Sequence, residues 1–553
     1  MRVIIFLITI CVVNHSVAQR ISPYFFAQNA WMPDSLGNVK DCTGEPYGLK
    51  CKLWGKINQN NTWEKVRQSG VKLVRLGGEH ADENKPTRHQ YIQLIDSARS
   101  KGIEPLLQVS YNNNFYAADS AAELVRYVNV IMKRNVKFWS IGNEPDVRAP
   151  NGYGYFTASP IADYTKLFAT KMKAVDSTII TLGPELSYYN IKNNLIQELT
   201  HAGGFYDITG KVPGHTYYYL DIITFHSYPF SGKQTRAELI SNLRDPWHIS
   251  HMLDELKVRL DSCNQYHKRE GKNTMKIALT ETNMNFKNPE DPDLGAHGFI
   301  AGQFWCELMA VGIERGLEFV AFWSIIENSL GYIDEKTGKL WPTYHHYKLM
   351  ADHIKGTYYK NEITEGVKDL KVIAAADSNY ISLILLNQKN NHGFHRYSVQ
   401  IGNATIKGNS GVGIRIKNIE SLKSTILFND SIEDESTSVL VFNYSGTLVK
   451  KYNYKKSDGP HAAPKLVKNA SQPLFVSIPP DINVPANNEV LLTAGGNENK
   501  KAAYHWYHEE SETPLNSTSS KTFKVLANKN ATYKLVVSYE GFTVENRVNV
   551  KVK

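Results

Sequence analysis

The sequence predicts an α/β protein: a (β/α)8 TIM barrel followed by an antiparallel β-sandwich and a C-terminal immunoglobulin-like β-sandwich. Two observations predict the barrel. Eight short apolar runs recur between residues 20 and 355, and each run is followed by enough residues to form a helix. A third observation predicts the sandwiches: after residue 355 the pattern changes to alternating strands joined by polar turns. At 553 residues the chain is too long for one compact core.

The first 18 residues have the pattern of an export signal. Basic Arg2 precedes an apolar run from Val3 to Val13, and Ser-Val-Ala fits cleavage before Gln19. The run is too short to span a bilayer, and no second candidate span follows it. The mature protein is therefore expected to be secreted, periplasmic or at the cell surface.

The candidate barrel strands lie at residues 23–28, 71–77, 104–110, 137–143, 178–183, 220–228, 276–281 and 318–325. Helical patterns lie between them, for example at 87–102 and 120–135, and these end on Gly or on a basic residue and Asn, as helix C-termini tend to. In a barrel of this kind the C-terminal ends of the strands form the active face. The polar residues at those ends are therefore the candidate site.

The domains predicted from these patterns are the signal peptide (1–18), the barrel (19–355), the β-sandwich (356–455), a linker (456–473) and the immunoglobulin-like domain (474–553). The linker is rich in Pro, Lys and small residues and has no periodicity. Trp506 is the expected core residue of the last domain. That domain is expected to act as a spacer or to contact a partner, a glycan or the cell surface.

Charge and cysteine content narrow the function classes. The formal charge of +9 is scattered along the chain, which is typical of a solvated surface or of modest attraction to an anionic polysaccharide, and nothing resembles a nucleic-acid module. Cys42 and Cys51 flank a turn-rich loop and are predicted to pair in an oxidising compartment, whereas Cys263 and Cys306 are expected to be separate buried thiols. No spacing resembles a zinc site, so no metal or cofactor is expected.

Two glutamates end candidate strands. The stretch "FWSIGNEPD" delivers Glu144 after the fourth strand, and "ALTETNMN" delivers Glu281 at the end of the seventh. Either residue alone would more often be a solvated loop residue or a helix cap. Together they would face one cleft from different sides, and two opposed carboxylates are what glycosidic bond cleavage requires.

The motif "IGNEP", followed much later by a strand that ends in "TET", resembles the clan-A retaining glycoside hydrolases over roughly residues 20–355. The appended β-sandwich is also common in that group. The resemblance implies that Glu144 is the general acid/base and Glu281 the nucleophile. It implies that Asn143 hydrogen-bonds the sugar 2-hydroxyl; a turn-forming Asn is the alternative.

The same resemblance assigns roles to further residues. Arg75 would keep the nucleophile ionised, His226 would contact substrate, Tyr228 would orient the nucleophile, and Trp323 would be the aromatic floor under the scissile sugar. A surface ion pair and ordinary core packing are the alternatives. Glu185, at the end of the fifth strand, is expected either to contact substrate or to be structural.

The resemblance implies hydrolysis by double displacement, with carboxyls about 5–5.5 Å apart and a raised pKa at Glu144. With the export signal and the loops described next, the expected protein is a secreted hydrolase of a β-linked polysaccharide. Loops rich in Asn and aromatics, 111–120 and 151–156, favour endo-action. The stretches "RLGGEHADENKPT" and "SIGNEPD" are similar to agarase, porphyranase and β-glucanase-like branches, which leaves the polymer open.

Two alternatives remain at the level of sequence. An exo-acting glycosidase would close one end of the cleft with a loop, for which 291–299 and 209–219 are candidates. A non-catalytic surface glycan-binding protein is the other alternative, although the presence of both glutamates weighs against it.

Overall fold

The fold is taken from a computed structural model that describes residues 19–31, 61–78, 87–110, 117–147, 157–189, 194–242, 249–287, 289–327, 329–408, 411–419, 422, 424–477, 481–496 and 502–553. The predicted signal segment 1–18 lies outside the described residues, and so do Cys42 and Cys51.

Eight parallel strands close into a barrel, as the sequence predicts. The ring closes because the first barrel strand pairs in parallel with the second on one side and with the eighth on the other. A two-residue strand, β1 (Gln19–Arg20), precedes the barrel. The barrel strands are β2 (Phe26–Trp31), β3 (Leu73–Gly77), β4 (Glu104–Val109), β5 (Phe138–Ile141), β6 (Ile180–Leu186), β7 (Ile222–Ser227), β8 (Lys276–Thr282) and β9 (Val320–Phe322).

Helices connect the strands and cover the barrel. The helix Arg88–Arg99 has Thr87 as its N-terminal cap. The Thr87 hydroxyl accepts from the Gln90 backbone amide, and the Gln90 side-chain oxygen accepts from the Thr87 backbone amide, so two donors at the helix terminus are satisfied. The helices are α1 (Thr62–Gln68), α2 (Arg88–Arg99), α3 (Ala117–Val125, continued by a π-helical turn Arg126–Ile131), α4 (Ala158–Val175), α5 (Leu195–Leu199), α6 (Arg236–Asn242), α7 (Ile249–Tyr266), α8 (Phe299–Glu314) and α9 (Pro342–His353).

The barrel interior is apolar at its lower level and polar above it. One buried cluster of small and large apolar side chains fills the lower level; it includes Ala27, Leu73, Leu106, Ile222 and Ala278. Because side chains alternate along a strand, the residue two positions later points inward one layer higher. That rule brings Asn29, Arg75, Gln108, Thr224 and Thr280 together in the layer above, and all five are fully buried.

An antiparallel β-sandwich packs on the barrel. Along strand β12 (Leu370–Ala376), Ile373 and Ala375 belong to the barrel-side core, whereas Val372 and Ala374 belong to the interior of the sandwich. This alternation gives the strand two buried faces. Helix α8, which is buried nearly all round, lies at the same interface, where Gln303 Nε2 donates to the Ser436 carbonyl at 3.0 Å.

The sandwich consists of a seven-stranded and a six-stranded sheet. The first has the order β1, β10 (Thr357–Tyr359), β12 (Leu370–Ala376), β13 (Tyr380–Asn387), β18 (Ser436–Asn443), β19 (Leu448–Lys455) and β20 (Lys465–Leu466). The second has the order β11 (Asn361–Ile363), β16 (Val412–Ile416), β14 (Phe394–Ile401), β17 (Ser424–Glu433), β21 (Leu474–Ser477) and β24 (Gly495–Gly496).

The C-terminal strands form a smaller β domain around Trp506, which is fully buried as expected. Its larger sheet has the order β15 (Thr405–Lys407), β28 (Phe542–Val552), β27 (Ala531–Tyr539) and β25 (Ala503–His508), with β22 (Ile482–Val484) also on β28. Strands β23 (Asn488–Thr493) and β26 (Thr522–Ala527) form a second, two-stranded sheet. The immunoglobulin-like topology stays a prediction.

The two β domains exchange strands. Strand β15, from the sandwich region, pairs with β28 of the C-terminal domain, and β21 pairs with β17 of the sandwich. The intervening segment 456–473 is also attached: β20 pairs with β19, and Lys456 forms an ion pair with Asp293 of the barrel at 2.6 Å. The barrel, the sandwich and the C-terminal domain are therefore connected by more than the chain itself.

Two further features concern the chain as a whole. Cys263 and Cys306 are separate buried thiols, as the sequence predicts. Among the described residues, the structure contains no helix that is both long and apolar enough to cross a bilayer.

A truncation tests the exchanged strand. Ending the chain at residue 473 removes β21 and exposes the edge of β17, and an open edge promotes pairing between molecules. Ending it at 477 keeps β21 in place. We expect the shorter form to self-associate more and to melt at a lower temperature than the longer one, by size-exclusion chromatography and thermal unfolding. Identical behaviour of the two forms would contradict the structural role of β21.

Candidate active site

Arg75 lies at the centre of the C-terminal mouth of the barrel. Its side chain has no exposed surface, and its terminal nitrogens form ion pairs with Glu185 at 3.1 Å and with Glu281 at 3.2 Å. The same two nitrogens donate to three amide oxygens, those of Asn29 (3.0 Å), Gln108 (2.9 Å) and Asn143 (2.8 Å). Strand β3 therefore delivers one charge that binds residues from five other parts of the barrel.

Glu281 lies at the end of β8 with 11% of its side chain exposed. Arg75 contacts one of its oxygens, and the Tyr228 hydroxyl donates to the other at 2.7 Å. The pairing of β7 with β8 shifts register just before His226, so that His226 lies opposite Glu281. A register shift of this kind re-aims side chains near the end of a strand.

The side chain of Glu185, which is the second carboxylate bound by Arg75, has no exposed surface. Its oxygens accept hydrogen bonds from Thr224 at 3.0 Å and from Thr280 at 2.6 Å, in addition to Arg75. Although burial raises the pKa of Glu185, the charges of Arg75 and His226 lower it to about 2. Of the two roles expected for Glu185, this enclosure favours the structural one: it positions cations.

His226 connects three carboxylates. Its Nδ1 lies 3.1 Å from Glu144, its Nε2 lies 3.1 Å from Glu185, and Nδ1 is 3.8 Å from Glu281. Burial lowers the pKa of His226, but the charge of Glu281 and the bonds to Glu144 and Glu185 raise it to about 10. The ring is therefore an imidazolium that donates from both nitrogens. It lies below the cleft with no exposed surface.

Glu144 reaches the cleft through an unusual backbone conformation. Its φ of 47° is in the left-handed region, which few non-glycine residues adopt, and its amide donates to the Glu185 carbonyl at 2.8 Å. Its side chain is 18% exposed. Asn143 beside it is buried, with its oxygen held by Arg75.

The carboxyl groups of Glu144 and Glu281, each only slightly exposed, are close together. One oxygen of Glu144, one oxygen of Glu281 and one ring nitrogen of His226 all lie within 4.8 Å of one another. Each of the three offers an atom that could bind a metal ion, and both ring nitrogens of His226 lie within hydrogen-bond distance of a carboxyl group.

The charge on the pair follows from these contacts. Burial and the charge of Glu144 raise the pKa of Glu281, while His226, Arg75 and Tyr228 lower it. Two carboxylates this close do not both ionise freely, so the pair keeps a shared proton to higher pH than isolated carboxyls do. Burial and the Glu281 charge raise the pKa of Tyr228 well above its usual range, so this hydroxyl stays a donor.

Trp323 directly follows β9, at the same end of the barrel as the two glutamates, and is buried. Its backbone amide donates to the Thr282 carbonyl at 2.8 Å, and Asn283 Nδ2 donates to the Trp323 carbonyl at 2.5 Å. Its ring packs edge-on against Trp31 with 4.8 Å between centroids. The ring also lies over Gly78, whose φ is 89° and where a Cβ would come within 2.4 Å of the indole. Only glycine fits there.

Sequence reasoning identified Arg75, Asn143, Glu144, Glu185, His226, Tyr228, Glu281 and Trp323, and the structure brings all eight to the same end of the barrel. It missed Asn29 and Gln108. Gln108 is a single polar residue near the end of the apolar run 105–109, which is a visible signal, whereas Asn29 directly follows another polar residue, Gln28. It also missed Asp146, which is buried and accepts from the Ser187 amide at 2.8 Å and hydroxyl at 2.7 Å.

The loops around the site are only partly described. Residues 79–86, 111–116 and 151–156 lie outside the described part of the chain. The segment 209–219 precedes β7 and therefore lies at the N-terminal end of the barrel, where Tyr218 O accepts from Lys173 at 2.8 Å. It cannot close the cleft, so that part of the exo-acting alternative is wrong.

The chain is similar in fold to solved carbohydrate-active enzymes. One is the α-L-arabinofuranosidase from Thermotoga maritima in its arabinose complex, with 18% sequence identity, a TM-score of 0.51 and coverage of 78% of this chain and 98% of that chain. Another is a bifunctional glucanase-xylanase from a metagenome library, with 12% identity, a TM-score of 0.52 and coverage of 77% and 96%. No family model and no curated protein sequence matches the chain. The resemblance to clan-A glycoside hydrolases is thus confirmed at the level of the fold.

Replacing the central cation should destabilise the protein strongly. Arg75→Met leaves Glu185 and Glu281 buried without their partner, and breaking a buried pair in this way costs about 3–5 kcal/mol. The control is Arg126→Met, which removes an exposed pair with Glu123 and should cost less than about 1 kcal/mol. Urea unfolding measures both. Equal effects would show that Arg75 does not hold the site together.

The contribution of His226 should depend on pH. Its pKa rises from 6.5 to about 10 on folding, so the stabilisation from its charge is complete below pH 6.5 and is lost as the pH rises towards about 10. We expect the difference in unfolding free energy between wild type and His226→Gln to be larger at pH 6 than at pH 9.5. A difference that does not change with pH would contradict the imidazolium assignment.

Proposed function

We propose that the chain is a retaining glycoside hydrolase, with Glu144 as general acid/base and Glu281 as nucleophile. The observation that carries the proposal is the separation of the two carboxyls, whose nearest oxygens lie within 4.8 Å. Retaining enzymes place their carboxyls about 5–5.5 Å apart, whereas inverting enzymes need about 6.5–9.5 Å to admit a water molecule. The pair lies at the C-terminal mouth of the barrel, where enzymes of this fold carry their sites.

The roles of the two glutamates follow from their donors. Glu281 accepts from a guanidinium and a phenol, both held in place, and these donors favour its ionised form as an attacking group. Placing the shared proton on Glu144 removes the repulsion that raises the pKa of Glu281. The pair therefore starts with an acid at Glu144 and an anion at Glu281.

In the first step Glu144 protonates the leaving oxygen while Glu281 attacks the anomeric carbon, which gives a glycosyl-enzyme ester and frees the aglycone. The negative charge on Glu281 is then gone, so Glu144 remains ionised beside His226. In the second step Glu144 takes a proton from water, and the resulting oxygen displaces Glu281. Two inversions return the original anomeric configuration.

The surrounding residues would bind the sugar. With its oxygen held by Arg75, the amide of Asn143 is available as a donor to the 2-hydroxyl. Trp323 would be the aromatic floor, since indole faces suit the apolar faces of sugar rings. Arg75, Glu185 and His226 are buried and act through Glu144 and Glu281.

We extend the proposal to a secreted enzyme that cuts a β-linked polysaccharide internally. The signal-like segment 1–18 supports export, and the polar, aromatic loops after the third and fourth barrel strands support an open groove. Contact with a glycan or the cell surface through the C-terminal domain is the corresponding proposal for residues 474–553. An exo-acting enzyme, with 291–299 as the closing loop, remains the nearest alternative, and a glycan-binding protein is the more distant one.

The first test is reducing-sugar release with sizing of the products. The substrates are agar, porphyran, carrageenan, laminarin, xylan, mannan and cellulose, with arabinan added because an arabinofuranosidase and a glucanase-xylanase share the fold. We expect wild type to release oligosaccharides from one polymer. We expect Glu281→Ala to lose more than about a thousandfold in kcat, and Glu144→Ala about 10²–10⁴-fold.

The matched control is Glu362→Ala, which removes an exposed carboxylate paired with Lys417 on the sandwich and should leave the rate unchanged. Release of monosaccharide alone would favour the exo-acting alternative. Binding of a polymer without hydrolysis of any would overturn the enzyme proposal in favour of a glycan-binding protein.

A further inference from the structure

The backbone that carries Glu144 lies beyond the regular part of its strand. Strand β5 pairs in parallel with β6 as far as Ser140, which lies opposite Leu182. Past that point the Glu144 amide donates to the Glu185 carbonyl at 2.8 Å, and both residues have a left-handed backbone, with φ of 47° and 58°. One main-chain hydrogen bond therefore joins two glutamates in a conformation that few non-glycine residues adopt.

A closed turn follows directly. The Val147 amide donates to the Glu144 carbonyl at 3.2 Å, and Pro145 occupies the second position of this turn, where proline is favoured. The residue before a proline is normally restricted to extended conformations. The local sequence therefore does not favour the left-handed backbone of Glu144, and contacts with other parts of the barrel must hold it.

Asp146, the third residue of the turn, makes such a contact with the end of β6. Its side chain is buried, its Oδ1 accepts from the Ser187 amide at 2.8 Å, and its Oδ2 accepts from the Ser187 hydroxyl at 2.7 Å. Asp146 follows Glu144 by two positions, and Ser187 follows Glu185 by two positions. The Asp146–Ser187 clamp therefore continues the link between the two segments one step further along the chain.

We propose that the Asp146–Ser187 clamp holds the carboxyl group of Glu144 in position for proton transfer, so that Asp146 and Ser187 are positioning residues. The inference rests on the proposed glycosidase function and adds to it the contact that fixes the general acid. A general acid must come within about 2.6–3.2 Å of the atom that it protonates. A displacement of about 1 Å can cost about a hundredfold in rate.

The clamp and His226 hold Glu144 from opposite ends. The clamp holds the backbone turn, and His226 Nδ1 lies 3.1 Å from the Glu144 carboxyl group. An aspartate suits the clamp because its two oxygens accept from two donors. An asparagine has one acceptor oxygen, and its NH2 group would face the second donor. Asp146→Asn therefore breaks the clamp with little change of shape.

A contact of the same kind at the other end of β6 provides the matched control. Asp221 Oδ2 accepts from the Thr181 amide at 2.9 Å and from the Thr181 hydroxyl at 3.2 Å. Thr181 is the second residue of β6 and lies at the end of the strand away from the site. Asp221→Asn thus disturbs an equivalent pair of hydrogen bonds far from Glu144.

The test uses aryl glycosides of the sugar or oligosaccharide that the polymer assay releases, with dinitrophenol or phenol as the leaving group. Dinitrophenolate leaves without a proton, whereas phenolate needs one, so kcat/KM on the phenyl glycoside depends on the general acid. We expect Asp146→Asn to lower kcat/KM by about tenfold to hundredfold on the phenyl glycoside and by less than about threefold on the dinitrophenyl glycoside.

Three further variants complete the comparison. Ser187→Ala keeps the amide donor, so we expect a smaller loss with the same dependence on the leaving group; it carries the test if Asp146→Asn does not fold. Glu144→Ala should show that dependence with a larger loss. Asp221→Asn should lower the melting temperature and leave both kcat/KM values unchanged.

Two outcomes would overturn the inference and leave the glycosidase intact. Equal losses on the two glycosides would give the clamp a purely structural role, and unchanged kcat/KM in Asp146→Asn or, if that variant does not fold, in Ser187→Ala would show that the clamp does not position the acid. Two others would refute the proposed function and the inference with it: equal losses on both glycosides in Glu144→Ala, or no hydrolysis of any polymer by wild type.

Discussion

One buried guanidinium determines the arrangement of the barrel mouth. Arg75 has no exposed surface, and its acceptors come from β2, β4, β6, β8 and the segment after β5. Removing a charge from water costs several kcal/mol unless partners replace the solvent, so these elements must converge for the fold to accept it. The geometry of Glu281 is consequently part of the stability of the barrel.

The same network distinguishes two chemically identical side chains. Glu281 is held by Arg75 and Tyr228, whereas Glu144 is held by His226 from a backbone position with φ of 47°. Such a conformation costs about 1–3 kcal/mol and persists because the surroundings over-determine it. The buried ring of His226 contacts both groups, since its Nδ1 lies 3.1 Å from Glu144 and 3.8 Å from Glu281.

Much of the barrel and of the candidate site could be predicted from the sequence, because both depend on where apolar strands recur and on which polar residues stand at their ends. The eight apolar runs gave the barrel, and polar residues at their C-terminal ends gave Arg75, Glu144, His226 and Glu281. Strand bounds differ by a few residues; for example, the first barrel strand is Phe26–Trp31 and not 23–28. Local pattern fixes that a strand exists better than where it begins.

Other features could not be predicted because they depend on contacts distant in sequence. The register shifts along β6 and β8 decide where Glu185 and Glu281 point. Gly183 and Pro184 mark the shift in β6, because Gly and Pro within a strand often accompany a bulge, but no residue pattern marks the shift in β8. The exchange of β15 and β21 between the two β domains likewise depends on pairing across long stretches of chain.

In the proposed mechanism Glu281 becomes covalently bonded to the sugar. The most direct test is to incubate the enzyme with an activated 2-deoxy-2-fluoro glycoside of the sugar it hydrolyses and to locate the adduct by peptide mass spectrometry. We expect one fluoroglycosyl group, on the peptide that contains Glu281, with hydrolysis restored after the adduct turns over. An adduct on Glu144, or hydrolysis of that sugar with inversion and no adduct, would contradict it.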